Sequence, residues 1–138
     1  MTTAQQLADR YAALWAEADP GLRRKAIEEL WAEDAAHVLH PPVEIREVAA
    51  RVGFDDTMLE ARGYDALDVR VTRAYEEFVA PGEFTFRALP DAVRLRDVVK
   101  FTWEMVPTAG GEPVGSGVEF VVLGADGRIT ADYQFPGL

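Results

Sequence analysis

Hydrophobic positions change period once along this chain, from helical spacing in the first half to strict alternation in the second. Leu7, Tyr11, Leu14, Trp15 and Ala18 recur at helical spacing while Asp9, Arg10 and Glu17 take the other face, which predicts an amphipathic helix. Asp19-Pro20 supplies an N-cap and a first-turn proline for a second helix. Its apolar side carries Leu22, Ala26, Ile27, Leu30 and Trp31, and Arg23, Arg24, Lys25, Glu28 and Glu29 form a solvated face. Two helices joined so closely are expected to pack antiparallel.

The segment His37-Val-Leu-His40 reads as a short, edge-like first strand, because Pro41-Pro42 drives the residue before each proline away from helix. Ile45, Val48, Ala49 and Val52 then repeat at helical spacing until Gly53, and Asp55-Asp56 are placed to cap a further turn through Met58 and Leu59. This stretch reads as a lid. A longer helix from about Tyr64 shows Leu67, Val71, Ala74, Tyr75 and Phe78 on one face and stops at Pro81-Gly82.

From Glu83 the period becomes two. Phe84 and Phe86 alternate with Thr85 and Arg87, and Phe101, Trp103 and Met105 alternate with Lys100, Thr102 and Glu104. A loop at Thr108–Pro113 and an Asp126-Gly127 turn of the I′ type, with positive φ at both positions, join the later strands into an antiparallel meander. Helices first and strands afterwards predict an α+β fold with helices on one face of a curved sheet.

Composition narrows the function classes. A chain of 138 residues is expected to form a single domain, residues 1–138, with a full core. Fourteen Lys and Arg against 24 Asp and Glu give a net charge of −10, which repels phosphate backbones and argues against nucleic acid. No apolar run approaches the ~18 residues that a membrane span needs, and the N-terminus lacks the basic start of a signal peptide, so a cytoplasmic protein without a membrane partner is expected. Cysteine is absent, which removes disulfides, thiol nucleophiles and thiolate metal sites. His37 and His40 stand three apart on an extended segment and so point to opposite sides, leaving no expected metal site. Phosphate loop, dinucleotide fingerprint, HExxH and nucleophile elbow are all missing, so any chemistry is expected to need no cofactor.

One carboxylate stands out. Glu119 lies between Val118 and Phe120 in an alternating strand, so it points either to solvent or into a cavity that uses its charge. Parity groups it with Val121 and Leu123, and places Val118, Phe120 and Val122 on the other face. On the last strand, Thr130, Asp132 and Gln134 share a face that either lines the cavity or meets water, with Ile129, Ala131, Tyr133 and Phe135 opposite.

The order Leu30-Trp-Ala-Glu-Asp34, His40-Pro-Pro42, Arg62-Gly63 with Ala66-Leu67, Phe101-Thr-Trp103, and Gly117-Val-Glu-Phe120 leading to Asp126-Gly-Arg-Ile129 resembles the SnoaL-like branch of the nuclear transport factor 2-like superfamily. The resemblance covers nearly the whole chain, with the segment from Val43 to Ala61 longer than the usual link. It implies a cystatin-like fold in which a cone-shaped, antiparallel sheet and about three N-terminal helices enclose an apolar pocket. The branch includes polyketide cyclases and is related to ketosteroid isomerases, which use a tyrosine, a carboxylate base and a protonated carboxylic acid. By that resemblance Tyr11 takes the place of the tyrosine, Glu119 that of the neutral acid, and His40 that of the base. The last match needs a one-residue gap, without which Leu39 stands there, so no full isomerase triad is matched. Trp103, Val121, Asp132 and Trp15 are the expected substrate contacts, and His37 is expected to be structural or exposed.

Three readings of function follow. The first is a cofactor-free isomerase or cyclase for a small apolar carbonyl compound, with His40 as base and Tyr11 and Glu119 holding the oxyanion. The second is hydration or dehydration with Glu119 or Asp132 as base. The third is a non-catalytic ligand-binding or dimerisation module. A homodimer is expected, since superfamily relatives often pair through their sheets and Tyr133, Phe135, Val118, Phe120 and Val122 offer an apolar face.

Overall fold

The computed structural model describes residues 2–41, 43–53 and 59–137. Helix α1 spans Ala4–Trp15 and opens on a capping box, in which Thr3 accepts from the Gln6 amide and the Gln6 side chain accepts from Thr3 N–H. Helix α2, Pro20–Leu30, has Asp19 as its cap, with Leu22 N–H donating to Oδ1 at 2.9 Å. Strand β1 (Trp31–Leu39) follows without a loop, then α3 (Val43–Arg51), β2 (Leu59–Arg62) and α4 (Tyr64–Ala74), which runs on into a π-helical turn at Tyr75–Val79. Five more strands complete the chain: β3 (Phe84–Ala88), β4 (Val93–Leu95), β5 (Val98–Pro107), β6 (Gly115–Leu123) and β7 (Ile129–Pro136). Among the described residues no helix is long and apolar enough to cross a membrane.

The strands form one curved, unclosed sheet in the order β2-β1-β7-β6-β5-β3, with β4 beside β3 on the same edge of β5. The α+β architecture is therefore as expected, with one difference. All neighbours are antiparallel except β1 and β7, which run parallel and make the sheet mixed. Leu7, Tyr11 and Leu14 of α1, Ile27 and Leu30 of α2, and Leu67 and Val71 of α4 pack on Trp31, Val99, Phe101, Val121 and Ile129 from one face of the sheet.

Several local expectations need correction. Trp31 continues the apolar stripe of α2 in sequence but belongs to β1, because the helix stops at Leu30 and the chain turns extended. Strand β1 is nine residues long and lies inside the sheet, since β2 pairs along its outer edge from Ala36–Arg62 to Leu39–Leu59. That edge strand starts within the segment read as a lid; Asp55, Asp56 and Met58 of the same segment lie outside the described residues. Arg23 is buried rather than solvated: its guanidinium donates to the Glu17 and Ala18 carbonyls and to Thr72 Oγ1, and sits over the Tyr75 ring at 4.5 Å. At the β6–β7 turn Gly127 alone takes a positive φ, and its N–H donates to Gly124 O, so the bend centres on Ala125 and Asp126 instead of forming a I′ turn.

Parity in β6 holds throughout, with Gly117, Glu119, Val121 and Leu123 facing inward. In β7 it holds only past an irregularity. Leu123 pairs with Ile129 and Val122 with Ala131, so Thr130 is an extra residue, and the bulge lets both Ile129 and Asp132 face the core.

Candidate active site

Three adjacent strands deliver three buried polar side chains to one spot under α1. His37 of β1 lies directly opposite Asp132 of β7, and Asp132 opposite Val121 of β6, two residues along from Glu119. Each points inward by the alternation just described. His37 is 1% exposed, Glu119 and Asp132 are 0%, and a ring nitrogen of the histidine and an oxygen of each carboxyl lie within 4.8 Å of one another. Such groups are seldom buried unless paired.

Glu119 is held from two sides. Tyr11 Oη donates to its Oε2 at 3.0 Å, and Trp103 Nε1 donates to its Oε1 at 3.1 Å. Trp103 reaches it by lying flat over Gly117, its partner across β5 and β6, where a Cβ would sit 2.4 Å from the indole Cζ2. Tyr11 is fixed by packing against Trp15, Trp31 and Phe101, with ring centroids 6.1, 5.7 and 5.2 Å away.

The electrostatics follow from burial. Loss of water pushes the Glu119 carboxyl well above its ordinary value, the neighbouring Asp132 charge pushes it further, and the bonds from Tyr11 and Trp103 pull it only partly back. Burial accordingly favours the neutral, proton-bearing form of Glu119. Asp132, whose two oxygens make no hydrogen bond, is the open acceptor beside it. The Tyr11 hydroxyl is raised as well, first by burial and then by both carboxyl groups. Burial lowers His37, with Asp132 opposing and the nearby Arg70 adding to the effect, so its ring is neutral.

The expected site residues are therefore partly assembled. Tyr11, Glu119, Asp132 and Trp103 meet, and Val121 lies in the core beside them. His40 does not join them. It is exposed beyond the end of β1, stacked 5.6 Å from Phe135, while its N–H holds Gln134 O at 2.9 Å. The histidine in the interior is His37, expected to be structural or exposed, and the residue that meets it from α4 is Arg70. Alternation along β1 would not have found His37, because the register shifts between Trp31 and Ala36 and Ala35, Ala36 and His37 are all buried; Arg70 had no sequence signal either.

The pocket beside Tyr11 and Trp103 is narrow and half open. Between α1 and the sheet, Tyr11, Ala12, Trp15, Phe86, Trp103 and Gln134 surround a cavity of about 20 Å³, room for roughly one water. A wider cleft of about 440 Å³ lies between the start of α1 and the β6–β7 loop, but no buried polar side chain lines it. Phe78, Phe86 and Trp103 form successive edge-to-face pairs at 6.3 and 6.2 Å, running from the exposed π-helical turn to the indole that binds Glu119.

No protein-family model matches the sequence, and no curated protein matches it. Solved structures do. A SnoaL-like family protein from Agrobacterium tumefaciens, provisionally named an isomerase, superposes with a TM-score of 0.77 at 22% identity over 100% of both chains. A nuclear transport factor 2-like protein of unknown function from Exiguobacterium gives 0.62 at 17% identity, over 95% of this chain and 98% of its own. A protein from Sinorhizobium meliloti, provisionally named a polyketide cyclase, gives 0.55 at 17% identity over 96% and 98%. Likeness at such identities speaks for architecture: this chain has the nuclear transport factor 2-like fold, in the form that SnoaL-like proteins take.

Proposed function

We propose that this chain is a cofactor-independent acid–base enzyme, an isomerase, cyclase or lyase acting on a small apolar carbonyl compound. The observation that carries this reading is the buried pair of carboxyl groups, Glu119 bonded to Tyr11 and pushed well above its ordinary value by burial, and Asp132 with no hydrogen bond to either oxygen. Two buried carboxyl groups in unlike surroundings, one hydrogen-bonded and one not, are suited to separate acid and base roles. Asp132 takes a proton from the carbon next to the carbonyl, and the oxygen, as negative charge develops there, accepts from protonated Glu119 and from Tyr11, whose single hydroxyl proton turns from Glu119 Oε2 to the substrate. Proton return from Asp132 to another carbon completes an isomerisation; loss of a leaving group instead gives a lyase. The names of the Agrobacterium and Sinorhizobium proteins fall in the same reaction class.

Asp132 replaces His40 as the base in this reading, because the imidazole of His40 faces outward at the strand end. Substrate enters between Trp15, Phe86, Trp103 and Gln134, and the aromatic rim must part to admit anything larger than water. That same tightness favours a second reading, a non-catalytic module whose buried polar cluster only fixes the fold. Exchange in D2O separates the two. The chain is incubated with a panel of small ketones and enones, and loss of the α-proton signals is followed by NMR. Exchange that needs the protein and falls ~10²–10⁴-fold in Asp132→Asn, the usual worth of a positioned base, supports the enzyme; equal exchange in both proteins, or none with any member of the panel, supports the module.

A further inference from the structure

The two ring nitrogens of His37 have unlike surroundings. Nδ1 is met at 2.9 Å by Nη1 of Arg70, while Nε2 is buried with no partner. A guanidinium has only N–H groups to offer, so Nδ1 accepts, and the proton of the neutral ring must then be on Nε2. The same Arg70 nitrogen donates to the carbonyls of His37 at 3.0 Å and Leu59 at 3.2 Å, which ties it to β1 and β2 and fixes its approach to the ring. Trp15 packs against the imidazole with centroids 5.5 Å apart.

We propose that Arg70 is a positioning residue that locks His37 in its Nε2–H tautomer, making His37 a hydrogen-bond donor to whatever Asp132 and Glu119 hold and closing the three residues to divalent cations. On composition alone, one imidazole and two carboxylates within 4.8 Å form a donor set that zinc accepts. Coordination needs a bare nitrogen lone pair, however, and Arg70 engages one while the proton covers the other. Metal-bound histidines show the reverse arrangement, their second nitrogen donating its N–H to a carboxylate or carbonyl. The guanidinium charge beside the ring further opposes a cation. What remains is a buried N–H in a cluster where Asp132 also has two oxygens without a partner, so a polar ligand group or a water bonded to both residues completes the site.

Use of that donor in turnover rests on the acid–base reading above; the tautomer itself does not, and NMR reads it directly. The full chain is labelled with ¹⁵N-histidine and long-range ¹H–¹⁵N correlations are recorded near pH 7.5. Because the chain has two histidines, His40→Gln assigns the signals. The wild type is expected to show His37 with a protonated Nε2 and a bare Nδ1, unchanged by equimolar Zn²⁺. Arg70→Lys, which keeps a donor, should retain that pattern, and Arg70→Met should move the proton to Nδ1 or mix the two forms. An Nδ1–H tautomer in the wild type, a His37 shift on adding Zn²⁺, or an unchanged pattern in a folded Arg70→Met would each overturn the proposal. Should Arg70→Met not fold, the wild-type and Arg70→Lys spectra still decide. Absence of carbonyl exchange would leave these spectra as they are, so failure of the enzymatic reading and failure of this one are separable.

Discussion

Tyr11 and Glu119 stand 108 positions apart in the chain and meet in a 3.0 Å hydrogen bond in the interior. Removing only the hydroxyl, Tyr11→Phe keeps the ring packed against Trp15, Trp31 and Phe101. A buried hydrogen bond contributes about 0.5–1.5 kcal/mol net, so urea unfolding should show a loss of that order. Turnover, if the acid–base reading holds, should fall ~10²–10³-fold, as for loss of one oxyanion donor. Lost stability with full turnover would make Tyr11 purely structural.

Stability should depend on pH in a way that identifies Glu119. Its folded form keeps a proton well above the ordinary value of 4.5, so the unfolded chain releases that proton first and stability declines as pH rises from about 4.5 until the folded carboxyl ionises. His37 acts in the opposite sense: burial lowers it from 6.5, so stability is lost as pH falls below 6.5. The two effects offset each other between those values. The Glu119 decline runs at up to about 1.4 kcal/mol per pH unit. Denaturation followed from pH 4.5 upward should show it in the wild type and not in Glu119→Gln; equal profiles would place the missing proton elsewhere.

Asp132→Asn should separate stability from function. The carboxylate is fully buried with neither oxygen bonded, and an unpaired buried charge is costly. The neutral amide should leave the protein at least as stable, by about 1 kcal/mol or more if Asp132 is ionised in the free protein, while lowering exchange ~10²–10⁴-fold. A marked loss of stability would mean that the carboxylate already has a partner.

Gly117→Ala tests the floor of the site. Its Cβ would lie 2.4 Å from Trp103 Cζ2 and 2.9 Å from Phe135 O, so the indole must lift away from Glu119. Overpacking of this kind costs about 1–3 kcal/mol. A lower melting temperature with altered tryptophan emission is expected, and an unperturbed spectrum would show that the ring is not held where its bond to Glu119 requires.

The outer face of the sheet remains apolar, with Tyr133 and Phe135 each 43% exposed beside Phe120. A homodimer through this face is the expected state, and sedimentation at micromolar concentration giving only the 15.3 kDa monomer would reject it.

Legibility in the sequence followed the reach of each signal. Alternation in β6 grouped Glu119 correctly with Val121 and Leu123 because nothing interrupts that strand, but left open whether that face meets water or the interior. In β7 the same rule sorted Asp132 from Tyr133 but not Ile129 from Thr130, since a bulge adds one residue and shifts the parity without any glycine or proline to mark it. Trp31 was ambiguous for a different reason: an apolar residue one position past Leu30 satisfies helical spacing and strand alternation equally. His40 drew attention through its prolines, a local feature, whereas His37 owes its burial to β2 and β7 on either side. Arg70 and Arg23 are the clearest omissions. Both use a charge at close quarters with backbone from other elements, and such partnerships leave no trace in spacing.

The parallel pairing of β1 with β7 has a bearing on how the molecule is made. His37 emerges 95 residues ahead of Asp132 in synthesis, yet each faces the other across adjacent strands. Until the C-terminal strand arrives, β1 has only the four-residue β2 beside it and the first half of the cluster stays wet. Closure of so long a loop is slow compared with local helix formation. Helix formation does not wait for that pairing, and the acid, base and histidine leave water together when β7 docks on β1.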